Sequence, residues 1–345
     1  MITVLITGCS MHSADLITEL RRNYDDEEIK IVGINCSDDA LLRKGVDAGY
    51  VVPRIDHPQY ISIVLKICED EGVNVIMPFI TAELPIMAKN REVFESRGIK
   101  VSVTSEESLY VLNDKRILSN MYGDIMPKQI TITKDSDPAE LQNFLDYVGY
   151  PKKRVCCKLP NRCGGLGFAI LDENLGRDLT VLNKFGMPHY ITLDMFKIYL
   201  ASCDDEIIIQ EFEDGTDYSL CVLADHGEIL FALGFEATVM SFGSAMSARI
   251  LMNEEALAIA RNVALDTDLD GNACFDFILK EDGSVRLLEV NPRLSATLPF
   301  IARAGLNLPY LRCKQLLGTD VRSYKPEVNL KLRLSKNYES EYYED

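Results

Sequence analysis

The chain has 345 residues, a formal net charge of −17, and 47% hydrophobic and 26% charged residues. This is ordinary composition for a folded globular protein, long enough for two or three domains. The acidic balance argues against nucleic acid, whose phosphates call for a basic surface, yet leaves room for a phosphate ligand in a locally basic pocket.

No apolar run approaches a membrane span, so no membrane partner is expected. The opening MITVLITG lacks the basic region of a signal peptide. The ten cysteines include no CxxC pair, and the adjacent Cys156 and Cys157 would point opposite ways on a strand. They read as reduced, mostly core residues of a cytoplasmic protein. His12, His57, His189 and His226 are scattered without metal-ligand spacing.

ITVLIT at 2–7 reads as a strand, and Gly8-Cys9-Ser10 turns into a helix over 14–23. IKIVGIN is a second strand and NVIMPF a third, with a helix over 58–71 between them. This alternation predicts a parallel, Rossmann-like sheet covered on both faces. GCSMHS lacks the second and third glycines of GxGxxG, which argues against a dinucleotide there. FITAEL lies at the carboxyl edge of the sheet, where open α/β sheets bind ligands. Glu83 in it either touches a substrate or only opens the next helix, expected over 83–97. A strand IKVSV follows, Ser105-Glu106-Glu107 starts another helix, and Asn113-Asp114-Lys115 caps the next.

From about 128, QITIT, RVCCKLP and FAILD read as strands, interrupted by a helical ELQNFLDYV. Between two of them lies a glycine-rich loop over 161–167, whose successive N–H groups can close on a phosphate. Lys158, three residues earlier, can meet the same phosphates as a point charge. A helix is expected over 193–201, then three antiparallel strands. The segment Gln210-Glu211-Phe212-Glu213 offers main-chain groups to a purine and carboxylates to ribose hydroxyls; a solvated acidic turn is the plainer alternative. Arg249, in the segment Ser241–Arg249, either binds an anionic ligand group or is an exposed structural arginine, and Ser295, Thr297 and Arg303 are weaker candidates of the same kind. NEEALAIARNVALDTD is an amphipathic helix, and 295–317 is a helix broken at Gly305.

The stretch ACFDFILKEDGSVRLLEVNPR, Ala273 to Arg293, reads as two strands joined at Asp282-Gly283, a strong hairpin signal. With those two as the loop, Asp276 falls opposite Glu289, Cβ atoms about 5 Å apart. Asn291 lies two residues further on, on the same face as Glu289. Like charges placed opposite destabilise a sheet unless compensated. A hard cation with oxygen ligands compensates most simply, and a partly hydrated Mg²⁺ carrying phosphates fits. Arg293 would face the anion that the metal holds.

A Rossmann-like domain, an NDK lysine, a lysine-proline-type lysine with a GGxG loop, a QEF segment and an ExNPR hairpin follow in order. The series resembles the ATP-grasp superfamily, and within it the carbamoyl phosphate synthetase large-chain and biotin carboxylase-like branch, to about residue 318. The resemblance implies a mixed α/β and α+β fold. A Rossmann-like pre-ATP-grasp domain over 1–112 would precede a two-lobed ATP-grasp fold. Its small lobe would span 113–204 and its large lobe, with the metal hairpin, 205–320. An acidic C-terminal extension would fill 321–345.

It further implies that Lys115 and Lys158 contact ATP phosphates under a loop containing Gly164, Gly165 and Gly167. Gln210, Glu211, Phe212 and Glu213 would meet adenine, Asp217 ribose or nearby groups. Asp276, Glu289 and Asn291 would bind Mg²⁺ (or Mn²⁺), and Arg293 would steady an acyl phosphate. Carbamoyl phosphate synthetase proper often has arginines where Lys115 and Lys158 stand, and a second arginine where Ala296 stands. There is also no repeated unit and no glutaminase segment. These departures imply a stand-alone carboxylate–amine ligase with small-molecule acid and amine substrates and, by default, a homodimer. The alternatives are a synthetase-like kinase acting on bicarbonate or carbamate, and a regulatory module that holds ATP without turnover.

Overall fold

A computed structural model describes residues 1–10, 13–38, 45–160, 168–174, 189–241 and 244–337. The apolar runs of the first third form β1 (Ile2–Ile6), β2 (Ile29–Asn35), β3 (Ala48–Val51), β4 (Val75–Met77) and β5 (Lys100–Val101). They pair in parallel in the order β3-β2-β1-β4-β5. Helices α1 (Ala14–Arg21), α2 (Tyr60–Glu71), α3 (Leu84–Lys89), α4 (Arg91–Glu95) and α5 (Glu106–Leu112) connect and follow them. β1 and β4 are buried throughout, as strands covered on both faces must be. The edge strand β3 was not apparent in the sequence because its four residues alternate half-buried and exposed.

The single helix expected over 83–97 is divided at Asn90, which caps both α3 and α4. Its side-chain amide donates to the Ile86 carbonyl at 2.8 Å, competing with the helical ladder. Gly8 has φ +57°, and a Cβ there would lie 2.3 Å from Ile80. That glycine serves the tight β1 turn against the loop after β4.

The chain then runs through α6 (Lys115–Tyr122), β6 (Gln129–Ile132), α7 (Pro138–Val148), β7 (Val155–Lys158), β8 (Phe168–Leu171), β9 (His189–Ile191), α8 (Leu193–Ser202) and β10 (Ile207–Glu211). The second sheet has the order β6-β10-β7-β8-β9, and its core gathers Phe144 and Leu145 of α7 with Phe196 of α8. IIIQE is therefore not the first of three consecutive strands in one sheet. β10 is inserted antiparallel between β6 and β7, and the chain crosses to the next sheet only at 212–215.

The third sheet comprises β11 (Thr216–Asp225), β12 (Glu228–Ser241), β13 (Ser244–Ile250), β14 (Gly271–Leu279), β15 (Val285–Asn291) and a late β16 (Arg333–Ser335). Its order is β15-β14-β11-β12-β13-β16. Helix α9 (Glu254–Asp266) covers one face, where its Ala260 and Val263 share a core with Leu220, Phe275 and Phe277. The other face joins Cys221, Phe235 and Cys274 to α1, to β1, and to α10 (Leu298–Arg303) and α11 (Leu308–Leu316) in one core. The break between α10 and α11 falls at Gly305, φ +115°, where a Cβ would lie 2.1 Å from the Glu327 carbonyl oxygen. Among the described residues no helix is long and apolar enough to cross a membrane, and the nine described cysteines are unbridged, only Cys36 being exposed.

Arg312 ties the first and third sheets. It is 1% exposed, forks onto both Asp270 oxygens at 2.8 Å, and reaches Gln315 at 2.8 Å and Ser102 at 3.4 Å. Breaking a buried pair from one side strands the remaining charge. Asp270→Asn should cost on the order of 3 kcal/mol, read as a lower urea midpoint. An unchanged midpoint would show that the pair does not hold the domains together.

Candidate active site

Hairpin geometry decides what the site can be. The turn is one residue longer than the sequence suggests: Lys280 and Ser284 close it, with the Gly283 N–H on the Lys280 carbonyl at 3.0 Å and Gly283 at φ +87°. Leu279 therefore pairs with Val285 and Phe277 with Leu287, one step away from the expected register. A bulge at Leu288 removes that step, and Asp276 does stand opposite Glu289. The bulge also switches faces. Val285, Leu287 and Val290 join the α9 core, while Glu289 and Asn291 turn to the face of Asp276.

One amide nitrogen touches both acids: Asn291 Nδ2 lies 2.9 Å from Asp276 Oδ2 and 3.2 Å from Glu289 Oε1. The Ser219 hydroxyl donates to Asp276 Oδ1 at 2.6 Å, and Lys115 Nζ is 2.7 Å from Glu289 Oε2. Burial and the Glu289 charge push Asp276 up to about 7. Burial acts upward on Glu289 too, but Lys115, Lys158 and the Asn291 hydrogen bond outweigh it, and that carboxyl lies below its ordinary value. Two crowded carboxyls, one readily protonated, are the signature of a site whose repulsion a cation can relieve. The donors are oxygens suited to a hard divalent ion. The amide orientation is set by its hydrogen-bond network; turned over, it would offer Oδ1 to the ion. In this arrangement Oδ1 instead accepts from Arg293 Nη2 at 3.2 Å.

Arg293 also donates through Nε to Thr81 Oγ1 at 2.7 Å and through Nη1 to the Leu294 carbonyl at 2.9 Å. It thus links the hairpin to the loop at the carboxyl edge of the first sheet. Thr81, not Glu83, is that loop's contact with the site. Glu83 is buried, accepting from Thr7 and, at 3.1 Å, from Tyr60, and burial raises its carboxyl.

The second sheet contributes Lys158, whose Nζ donates to Gln210 Oε1 at 2.6 Å beside Phe168. Gln210 Nε2 donates in turn to Gln129 Oε1 at 2.9 Å, and Gln129 Nε2 to the Lys115 carbonyl at 3.2 Å. This amide chain orients both lysines from one side. Gln210, 2% exposed, is accordingly a lysine acceptor. The Glu211 and Phe212 N–H groups are taken by the Lys128 and Arg154 carbonyls at 2.8 and 3.1 Å. Among the described residues the Glu213 N–H has no such partner, which makes it the main-chain donor this segment can offer. The Glu211 carboxylate meets Lys153 at 3.2 Å, Phe212 lies under Arg154, and Glu213 meets Lys280 at 2.7 Å. Asp217 is exposed at the start of β11, yet the protein around its carboxyl raises it above its ordinary value, against a backbone hydrogen bond and Lys158.

Arg249 is elsewhere. It sits opposite Glu236 on β12 and binds that carboxylate, on the face shared with Tyr218, whereas Asp276 and Ser219 share the other. Strand alternation thus removes Arg249 from the site. Arg303 is spent on Glu19 of α1 at 3.5 Å, Thr297 is buried just before α10, and Ser295 turns its buried hydroxyl toward Cys274. Gly164, Gly165 and Gly167 lie outside the described residues. Ser219 and Gln129 were missed in the sequence: each acts through a partner on a strand distant in the chain.

Residues 4–102 match the family described as PylC-like, N-terminal domain. Residues 204–339 match the family described as ATP-grasp in the biosynthetic pathway with Ter operon. Over residues 204–339 the chain is thus similar to ATP-grasp proteins. It is 23% identical over 278 residues to the arginine-specific carbamoyl phosphate synthase large chain of Bacillus subtilis (strain 168), a match covering 79% of this chain and 25% of that one. The chain thus spans about a quarter of the length of the large-chain relatives it matches. Among solved structures, N5-carboxyaminoimidazole synthetase from Staphylococcus aureus complexed with ADP aligns with TM-score 0.67 at 12% identity, covering 95% of this chain and 80% of that one. L-amino acid ligase from Bacillus licheniformis aligns with TM-score 0.61 at 14% identity, covering 95% and 75%.

Gln210→Leu removes the acceptor of a half-buried ammonium and one link of the amide chain. Leaving such a donor unmet costs about 1–3 kcal/mol. The variant should melt earlier and bind MgADP more weakly than Gln129→Leu, which leaves Lys158 its acceptor. Equal behaviour of the two variants in melting and ADP titration would contradict this ordering.

Proposed function

We propose that this protein is a carboxylate–amine ligase. A carboxylate oxygen attacks the γ-phosphorus of ATP, the bond to ADP breaks, and an acyl phosphate forms. An amine nitrogen then attacks the acyl carbon, loses a proton, and phosphate leaves. The observation that carries this reading is the grouping of Asp276, Glu289 and Asn291 on one face of the hairpin, with Lys115 and Arg293 bonded to members of that group.

The difficulty of the reaction is accumulated negative charge. Asp276, Glu289 and, with its amide turned, Asn291 would hold Mg²⁺ or Mn²⁺. When bound, such an ion neutralises phosphate oxygens as a Lewis acid. Lys115 and Lys158 lie where they would meet the phosphates of a nucleotide between the second and third sheets, Lys115 exchanging Glu289 for them. The Glu213 main chain would face adenine, and Asp217 the ribose. Arg293, fixed by Thr81 and Asn291, would stand over the transferring phosphoryl and the acyl phosphate. A donor fixed before the charge develops lowers the barrier without reorganisation, and positioning supplies most of the rest in phosphoryl transfer.

Arg293→Ala should lower kcat by a factor on the order of 10² (about 3 kcal/mol) with MgADP affinity nearly intact; wild-type turnover would refute the assignment. Screening ADP release against pooled carboxylic acids and amines tests the reaction class. Turnover requiring an acid and boosted by an amine is expected. Bicarbonate alone sufficing for ADP release would favour a carbamoyl phosphate synthase-like activity, and nucleotide binding without turnover a regulatory one.

A further inference from the structure

Just past β16, Lys336 places a half-buried charge that the reaction above does not use. The chain returns after α11 to add this strand at the edge of the third sheet, with Arg333 opposite Arg249 and Ser335 opposite Ser247. The Lys336 N–H continues the ladder onto the Met246 carbonyl at 2.8 Å. Leu332 and Leu334 pack against the core that holds Phe235, Ala248 and Cys274. They occupy the sheet face of Asp276, and Lys336, two residues past Leu334, continues that alternation. Its ammonium ends on the Ala296 carbonyl at 3.2 Å, in the short segment that carries Arg293 from the hairpin to α10. Arg293 and Lys336 thus serve one segment, the first at its start and the second near its end.

The environment of this ammonium is one-sided. Among the described residues no carboxylate pairs with Lys336. Asp15 on α1, itself exposed, acts on it only through its field. Burial lowers the ammonium below its ordinary value, against the pull of Asp15. A lysine serving only the strand would snorkel into water and keep its full solvation. This one is half-buried instead, giving up part of its solvation for one neutral carbonyl, and such a cation gains when an anion arrives.

We propose that Lys336 is a specificity residue for the acid substrate, binding a second anionic group, carboxylate or phosphate, on the molecule whose first carboxylate is activated at Arg293. This deepens the ligase reading and rests on it. A monoanionic acid would leave Lys336 unmatched, whereas a diacid, or an acid carrying a phosphate, would satisfy both cations and be held in one orientation. Lys336 touches no reacting atom, so its effect falls on binding and not on the chemical step.

The test compares the full chain with its Lys336→Met and Lys336→Arg variants. Calorimetry would use straight-chain dicarboxylates, monocarboxylates of matched length and phosphorylated hydroxy acids, with ADP release measured for the same acids and a pooled amine set. Losing one charge-assisted hydrogen bond predicts that Lys336→Met binds diacids at least about tenfold more weakly, kcat staying within about twofold. Monocarboxylate and MgADP affinities should not move, and Lys336→Arg should recover part of the loss. If the phosphorylated acids alone show the loss, the second group is a phosphate; if the dicarboxylates alone do, it is a carboxylate. Equal effects on mono- and dianionic acids, or binding of neither dicarboxylates nor phosphorylated acids by the wild-type chain, would overturn the proposal. Unchanged MgADP binding in Lys336→Met shows that the variant is folded. The ligase reading stands or falls separately, on whether any acid with an amine drives ADP release.

Discussion

Two carboxyls facing each other across a β-ribbon is the constraint around which this molecule is arranged. Burial and their repulsion raise Asp276, and the fold brings a serine, an amide and a lysine from three different places to contain it. None of these partners lies next to the pair in sequence except Asn291. Such an arrangement is costly for stability alone, which is the physical reason to read it as a place built for a cation and the phosphates that come with one.

The Leu288 bulge makes the pair possible. Without it, a strand continuing from Leu287 would place Glu289 on the same side as Leu287, inside the α9 core. With it, the same strand is apolar on one face and acidic on the other past a single irregular residue. The bulge lies on the edge strand, where irregular pairing is tolerated and one partner is a loop: the Leu287 N–H donates to the Ile125 carbonyl at 3.0 Å. The other two sheets supply cations and anchors around this edge. Lys158 and Lys115 share the glutamine chain of the second sheet, and Thr81 carries Arg293 from the first. The site exists only where all three sheets meet.

Much of this was legible in the sequence for identifiable reasons. The buried strands β1, β2 and β4 and the amphipathic α9 have strong periodicity, and Asp-Gly marks the hairpin. The Asp276–Glu289 pairing was anticipated through two errors that cancel: the turn is one residue longer than assumed, and the bulge restores the register. What could not be read is long-range register. Nothing local places Ser219 beside Asp276, sends Arg249 to the opposite face against Glu236, or inserts β10 between β6 and β7. Glu83 was attractive because of its loop, yet the turn of the chain buries it and presents Thr81. The contribution of β16 was hidden because three residues near an acidic, weakly patterned end carry almost no sequence signal.

On the proposed reading, Asp276 and Glu289 together hold a divalent ion on a bound nucleotide. The most direct test is a paramagnetic resonance titration of the full chain with Mn²⁺ in the presence of ADP. An Asp276→Asn/Glu289→Gln double variant would be compared with Asp282→Asn, which changes only the exposed turn. A nucleotide-dependent Mn²⁺ site is expected in the wild type and in Asp282→Asn, weakened at least about a hundredfold in the double variant, because an oxygen-ligand site there loses its charge. Equal Mn²⁺ affinity in all three proteins would contradict it.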